Sequence, residues 1–286
     1  PSGHEDSLSF EEITSVVAAF LDAGGRKVRL TGGEPLLRSG IAELVSMLSR
    51  LPGLEDLSLT TNGVLLSRFA VELKRAGLNR VNVSLDTLKP YCFTRLTRAS
   101  AALDEVIGGI RAAVAAGFSP VKINVVVMKG LNDDEVPDFL EFGRKEDVTV
   151  RFIEYMPVGD PAKWRRYYVP AELIVESMGD MIERERAAPQ PGGGPAKYYT
   201  LRGGGRTGII SPVSHGFCER CNRLRLTSDG RLIPCLLNNR SLPLRKITGG
   251  IIERPALKNA VREAVKMKGI RGDFGAAPDE MRNVGG

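Results

Sequence analysis

Cysteine and histidine are scarce in this chain, with four of the one and two of the other in 286 residues. Four cysteines cannot staple a chain of this length, which excludes a disulfide framework. No uncharged apolar run approaches the roughly 18–20 residues that a membrane-spanning helix needs, so the sequence reads as that of a soluble protein. No basic stretch followed by an apolar one opens the chain, so nothing marks it for secretion and the cytoplasm is its default location. Low-complexity tracts are lacking as well. What is present is an apolar fraction of 42% against 26% charged residues, an ordinary balance that buries a real core. The length suits one large α/β domain with an appendage, or two domains. A net charge of +6 favours an anionic partner, and the placement of the cations decides what that is worth.

Ser9 and Glu12 form a capping-box signature, and Ile13, Val16, Val17, Phe20 and Leu21 recur at helical spacing until Gly24 and Gly25 stop the pattern. Strand-like runs at 27–31, 57–61, 80–85, 121–127 and 148–155 then alternate with helical stretches at 41–48, 67–76, 103–116 and 134–145. Alternation of this kind predicts parallel strands with right-handed crossovers, in an open sheet or a complete or partial barrel. Strands covered on both faces are nearly all apolar. Here one face is polar instead: Lys27, Arg29, Thr31; Ser58, Thr60, Asn62; Asn82, Ser84, Asp86; Lys122, Asn124; Arg151. Val28, Leu30, Leu57, Leu59, Val81, Val83, Val121, Ile123, Val150 and Phe152 take the other face, where helices can cover them. The polar face is therefore expected to line a ligand cavity. An unpaired charge taken out of water costs several kcal/mol or more, so four lumen cations call for an anion such as a polyphosphate; side chains reaching solvent from the strand ends are the alternative. After about residue 160 the pattern changes to a helix at 169–178, a Pro/Gly-rich connection at 189–195, a strand at 207–210, a hairpin turned by Ser228-Asp229-Gly230 and a helix at 256–268.

Two constellations carry chemistry. Gly32-Gly33-Glu34-Pro35 ends the first strand and precedes a helix. Glycines there let the backbone approach a ligand without Cβ interference, at the strand end where α/β active sites lie, although a plain βα turn looks the same. The second is Cys218-Glu219-Arg220-Cys221-Asn222-Arg223-Leu224-Arg225, followed after thirteen residues by Cys235. Three thiolates with no evident fourth protein ligand suit a 4Fe-4S cluster with one open iron. A structural zinc site wants a fourth Cys or His, and His215 could serve, so spacing leaves both readings open. Arg223 and Arg225 alternate along the first hairpin strand and are expected to point the same way, as a solvated basic edge or into the lumen. Cys92 reads as packing or a free thiol.

Gly32-Gly33-Glu34-Pro35 resembles the glycine-rich motif of radical S-adenosylmethionine (SAM) enzymes. The resemblance extends to the GTP 3′,8-cyclase family through Lys27-Val28-Arg29-Leu30-Thr31, Thr60-Thr61-Asn62-Gly63, Val81-Asn82-Val83-Ser84-Leu85-Asp86, Val121-Lys122-Ile123-Asn124, Asn132-Asp133-Asp134-Glu135, Arg151-Phe152-Ile153-Glu154-Tyr155-Met156, Ala196-Lys197-Tyr198-Tyr199 and the cysteine segment. It implies an α/β fold, a partial (β/α)6 TIM-like barrel with its first strand missing here, closed by a C-terminal α+β extension, with domains at 1–160 and 161–286. It also implies conversion of GTP to 3′,8-cyclo-7,8-dihydro-GTP at the first step of molybdenum cofactor synthesis, through a 5′-deoxyadenosyl radical from SAM that takes hydrogen from C3′. The residues it implies for GTP are Lys27, Arg29, Thr60, Lys122, Arg151, Arg223 and Arg225, and for SAM Gly32, Gly33, Glu34, Asn62, Ser84 and Met156. Cys218, Cys221 and Cys235 hold an auxiliary 4Fe-4S cluster in the family, and Gly285-Gly286 matches a tail that enters its active site.

The family places a Cys-x-x-x-Cys-x-x-Cys motif just upstream of the helix that here follows Ser9. A sequence opening at Pro1 is thus expected to be truncated and, without that first cluster, inactive as it stands. The implied partners are an electron donor and a downstream cyclic pyranopterin monophosphate synthase, with no nucleic acid and no membrane; a homodimer stays open. Two rivals remain: another radical SAM enzyme with an auxiliary cluster, and a zinc-binding nucleic-acid module built on the cysteine triad.

Overall fold

The computed structural model describes residues 7–97, 103–157, 160–187, 194–236, 240–244 and 254–268. Gly285-Gly286 and most of the connection at 189–195 lie outside them. The first helix, α1 (Phe10–Asp22), starts where the capping box predicts. Ser9 Oγ accepts the Glu12 N–H at 3.2 Å while the Glu12 carboxylate accepts the Ser9 N–H at 2.7 Å, so two orphan donors of the first turn are satisfied.

Then follow β1 (Lys27–Leu30), α2 (Ile41–Ser49), β2 (Asp56–Thr61), α3 (Leu66–Arg75), β3 (Arg80–Ser84), α4 (Pro90–Thr97), α5 (Leu103–Ala115), β4 (Lys122–Val127), α6 (Val136–Lys145) and β5 (Thr149–Glu154). The five predicted strands are all present. Beyond them come α7 (Pro161–Tyr167), α8 (Ala171–Met178), β6 (Ile182–Ala187), β7 (Lys197–Leu201), β8 (Arg206–Ile210), β9 (Arg225–Leu226), β10 (Arg231–Ile233), β11 (Leu242–Pro243) and α9 (Arg254–Lys266). No helix among the described residues is long and apolar enough to cross a membrane.

Strands β1 to β5 pair in parallel and in chain order, β8 joins β5 in parallel, and β7 and β6 continue antiparallel. Strands from both sides of position 160 thus share one mostly parallel sheet. The apolar stripe faces the helices as the alternation requires: Leu57, Leu59, Val81, Val83, Ile123, Val150 and Phe152 are fully buried in the main core. Each such side chain contributes about 1.5–3 kcal/mol on leaving water. Phe152 also meets Phe139 of α6 edge to face, with centroids 6.2 Å apart.

A second core sits between α1 and the C-terminal elements, where Val16 and Ala19 pack with Leu232, Leu244, Leu257, Ala260, Val261 and Ala264. Leu8, just ahead of α1, donates its N–H to the Ser228 carbonyl at 2.7 Å, and Asp22 at the other end of α1 pairs with Arg254 of α9 at 2.6 Å. A buried carboxylate makes the remaining joint. Glu154, the last residue of β5, accepts the N–H groups of Ala171, Val213 and Ser214 at 2.8–3.0 Å, together with the hydroxyls of Tyr168 and Ser214. It fastens the end of β5 to the start of α8 and to the loop that leads into the cysteine segment.

Two pairs of substitutions test this packing. A Cβ on Gly109 of α5 would lie 2.3 Å from the Gly63 carbonyl oxygen, whereas one on Gly108 would meet nothing within 4 Å. Gly109→Ala is expected to destabilise by about 1–3 kcal/mol through overpacking, and Gly108→Ala to stabilise by up to about 1 kcal/mol through helix propensity, both read from urea denaturation. Glu154→Gln turns an NH2 toward protein N–H donors and is expected to cost about 1–3 kcal/mol. It should also raise amide exchange across 211–216, where Glu154→Asp restores part of the protection.

Candidate active site

The lumen face of the sheet carries positive charge at successive levels. In strand register Arg29 lies beside Ser58 and Ser58 beside Arg80, Asn82 lies beside Lys122, and Asn124 lies beside Arg151, which is followed by Gly208 and Tyr198. Register neighbours share a face, so these side chains gather on one face of the sheet. Arg80 grips Asp56 with both arms of its guanidinium, Nε at 2.8 Å and Nη2 closer still, and both residues are buried. Arg151 is buried as well. Its Nη2 donates to the side-chain oxygens of Asn82 at 2.8 Å and Asn124 at 2.6 Å, while its Nε is buried with no hydrogen-bond partner among the described residues. Lys122 is 1% exposed and donates to the Tyr198 hydroxyl at 3.4 Å. Thr60 Oγ1 accepts from Asn82 at 3.4 Å, and Lys27, at the start of β1, is exposed.

The cost of this crowding appears in the titration of the cations. Burial first, and then the charges of Arg151, Arg80 and Arg29, push Lys122 down to about 7, with Asp56 working in the opposite direction. Burial and then Arg151, Arg80 and Arg223 push Arg29 down to about 10. By surface area Arg29 is exposed, yet protein crowds it enough to strip much of its hydration, as a side chain on the wall of a concave lumen would be. That Arg223 acts on Arg29 brings the cysteine segment to the same face. Arg225 is lowered by burial and by Arg223, and is supported by Cys221 and Cys235.

At the carboxyl ends of the strands the predicted SAM residues form an open rim. Gly32, Gly33, Asn62 and Ser84 are exposed, and Met156 is half-buried. Gly32 takes φ +152°, and a Cβ on either glycine would meet no protein atom within 4 Å, so the backbone faces free space. Glu34 is engaged with protein donors: its carboxylate accepts the N–H of Leu36 at 3.1 Å, the Thr61 hydroxyl at 2.7 Å and the N–H of Asn62 at 2.7 Å. It ties the loop after β1 to the end of β2. Asp86 prolongs the β3–β4 ladder by accepting the Val126 N–H at 2.8 Å, and burial pushes its carboxyl up to about 6. Glu135 does similar work for the loop after β3, accepting from the Thr87 hydroxyl at 2.6 Å and the Leu88 N–H at 2.7 Å.

Cys218, Cys221 and Cys235 are half-buried and outside any disulfide. The Cys221 N–H donates to the Cys218 carbonyl at 3.1 Å in a short 3₁₀ turn. Burial works to raise the Cys221 thiol, but the backbone and charge of Arg223 outweigh it, and the thiol sits below its ordinary value. Among the described residues no three His, Cys, Asp or Glu side chains converge as ligands of one metal ion. Arg225 begins β9 as expected, but Arg223 stands ahead of the strand. The pairing ends at Arg225 opposite Ile233. Arg223 is held by the Phe217 ring, 5.0 Å from its centroid, and its carbonyl accepts from Lys268 at 2.7 Å.

The structure therefore gathers Arg29, Lys122, Arg151 and Thr60 with Asn82, and brings Arg223 within range of them. It adds four residues to which the sequence reading gave no role: Asp56, Arg80, Tyr198 and Glu154. Arg80 was within reach of the same alternation, two positions before Asn82. The partnership of Glu154 joins segments up to sixty residues apart and leaves no local signal.

Residues 1–143 match the radical SAM superfamily and residues 148–274 match the family described as Molybdenum Cofactor Synthesis C. The GTP 3′,8-cyclase of Alkaliphilus oremlandii is 45% identical over 84% of this chain and 74% of its own length, and that of Heliobacterium modesticaldum is 49% identical over 85% and 75%. The GTP 3′,8-cyclase of Thermodesulfovibrio yellowstonii is 42% identical over 93% and 82%. Among solved structures, Streptococcus suis SuiB bound to its precursor peptide SuiA shares the fold with a TM-score of 0.52 and 21% identity, over 60% of this chain and 39% of that one. Identity at this level across four-fifths and more of the sequence places the chain in the GTP 3′,8-cyclase family of the radical SAM superfamily.

Proposed function

We propose that this chain holds the triphosphate of GTP on its lumen cations and SAM on the loops at the strand ends. The reaction served is conversion of GTP to 3′,8-cyclo-7,8-dihydro-GTP, the first step of molybdenum cofactor synthesis. One observation carries the reading: Arg29, Arg80, Lys122 and Arg151 share one sheet face, and Asp56, the carboxylate that acts on Arg29 and Lys122, is already held by Arg80. A polyphosphate supplies the missing negative charge, and guanidinium groups bind its oxygens in pairs. Arg223 and Arg225 close the site from the C-terminal half, and Lys27 and Thr60 extend it along β1 and β2. Gly32, Gly33, Asn62, Ser84 and Met156 line the SAM side. Glu34 serves that side by shaping the loop, since its oxygens are occupied by protein donors.

The superfamily works with iron-sulfur and SAM, and the auxiliary cluster of this reading belongs on Cys218, Cys221 and Cys235. The donor set fits: three thiols outside any disulfide, one with its thiolate favoured by Arg223, and two acting on the half-buried Arg225. A bound cluster would supply an open iron for the purine. This chain's own residues fix the triphosphate, keep water from the lumen floor and hold the cysteine loop to β5 through Glu154. An electron donor, an enzyme that consumes the cyclised nucleotide, a cytoplasmic setting and a homodimer complete the proposal.

Two measurements test it. The double variant Arg223→Ala and Arg225→Ala should bind GTP at least about 10-fold more weakly by anaerobic titration calorimetry, with iron and sulfide content kept. Unchanged affinity removes both arginines from the site. Anaerobic metal analysis of the whole protein should find iron with sulfide; zinc alone, without sulfide, points to the nucleic-acid module instead.

A further inference from the structure

Tyr198 lies at the floor of the lumen, on a strand that belongs to the C-terminal half. In register, Gly208 separates it from Arg151, and the absence of a side chain at Gly208 lets the two meet: a Cβ there would lie 3.0 Å from Tyr198 Cε1 and 3.2 Å from Arg151 Cγ. Lys122 Nζ donates to the phenol oxygen at 3.4 Å and stands 5.7 Å from the ring centroid. The same oxygen favours the charged form of Arg151. Tyr198 is 8% exposed, and its hydroxyl is an acceptor, from Lys122 and from the Arg151 guanidinium. A phenol carries one hydrogen to donate, and this one has no protein acceptor among the described residues. Beside it, Arg151 Nε is also buried and unmatched.

We infer that Tyr198 is an anion-binding residue of the nucleotide site, which holds Lys122 in place through its oxygen and gives its hydroxyl hydrogen to a phosphate oxygen of the bound nucleotide. Two donors at the lumen floor, the phenol O–H and Arg151 Nε, then find acceptors when the triphosphate enters. The inference rests on the nucleotide reading above and deepens it.

Tyr198→Phe keeps the ring against Gly208 and removes only the oxygen. It is expected to weaken GTP and inorganic tripolyphosphate alike by about 10-fold in titration calorimetry on the full chain, with guanosine unaffected. The groups facing Lys122 are Arg29 from β1, Asp56 from β2, Arg80 from β3, Arg151 from β5 and Tyr198 from β7. Burial and the cations among them lower Lys122 itself to about 7. Loss of the phenol oxygen withdraws support from the ammonium, so the affinity ratio of wild type to variant should grow as pH rises from 6 to 8. Titration of the nucleotide's own phosphate cancels in that ratio.

Gly208→Ala provides the second variant, since it displaces the ring and Arg151 without altering either, and it should weaken tripolyphosphate binding too. A wild-type protein that binds neither GTP nor tripolyphosphate overturns the nucleotide reading itself. A wild type that binds both, with Tyr198→Phe matching its affinity at every pH, overturns the role of Tyr198 alone.

Discussion

Positive charge gathered on one face of the sheet is the constraint on which the rest of this structure depends. Arg29, Arg80, Lys122 and Arg151 sit on neighbouring strands of one sheet, and the Asp56 carboxylate among them is already held by Arg80. Each buried cation carries a desolvation penalty of several kcal/mol that packing does not return. Folding alone gives no reason to collect them. The depression of Lys122 to about 7 expresses that strain directly, since the lysine is held where its charged form is disfavoured until a counter-charge arrives. Between that value and its unfolded value near 10.5, the unfolded chain binds the extra proton. Stability contributed by this site therefore falls as pH drops toward 7.

Such a face is usable only if its rim is fixed, and carboxylates do the fixing. Glu34 joins the loop after β1 to β2, Glu135 joins the head of α6 to the loop after β3, and Glu154 joins β5 to α8 and the loop before the cysteines. Each accepts backbone N–H groups that the ends of strands leave unpaired, and each spans segments distant in sequence. The glycine loop with its open backbone and the loop that precedes the cysteine segment are thereby held in place. Opposite charges are divided between two places: the cations share one sheet face, and these carboxylates hold the loops at the strand ends.

Much of this was legible in the residue order. The βα repeat, the five strands and the inward polar stripe follow from periodicity alone, because burying Leu57, Leu59, Val81, Val83 and Phe152 against helices forces their neighbours Ser58, Thr60, Asn82 and Arg151 to the other side. The structure's departures have physical reasons. Strand β6 begins Ile-Glu-Arg-Glu-Arg and carries no apolar alternation, so only its pairing with β7 makes it a strand. Helix α4 buries Phe93 alone, too little for a helical period to be read. The grip of Arg80 on Asp56 and the five bonds to Glu154 are long-range pairings of residues that look ordinary in isolation.

The most direct test of the charged face is the thermal stability of Lys122→Met, measured at pH 7 with and without GTP. Met keeps the length of the side chain and removes the charge. If the cations are held for an anion, the variant melts at or above the wild-type temperature without nucleotide, and GTP, which raises the wild-type melting temperature, raises that of the variant far less. A variant that melts well below wild type while GTP stabilises both equally would show Lys122 to be part of the scaffold, and would contradict the account.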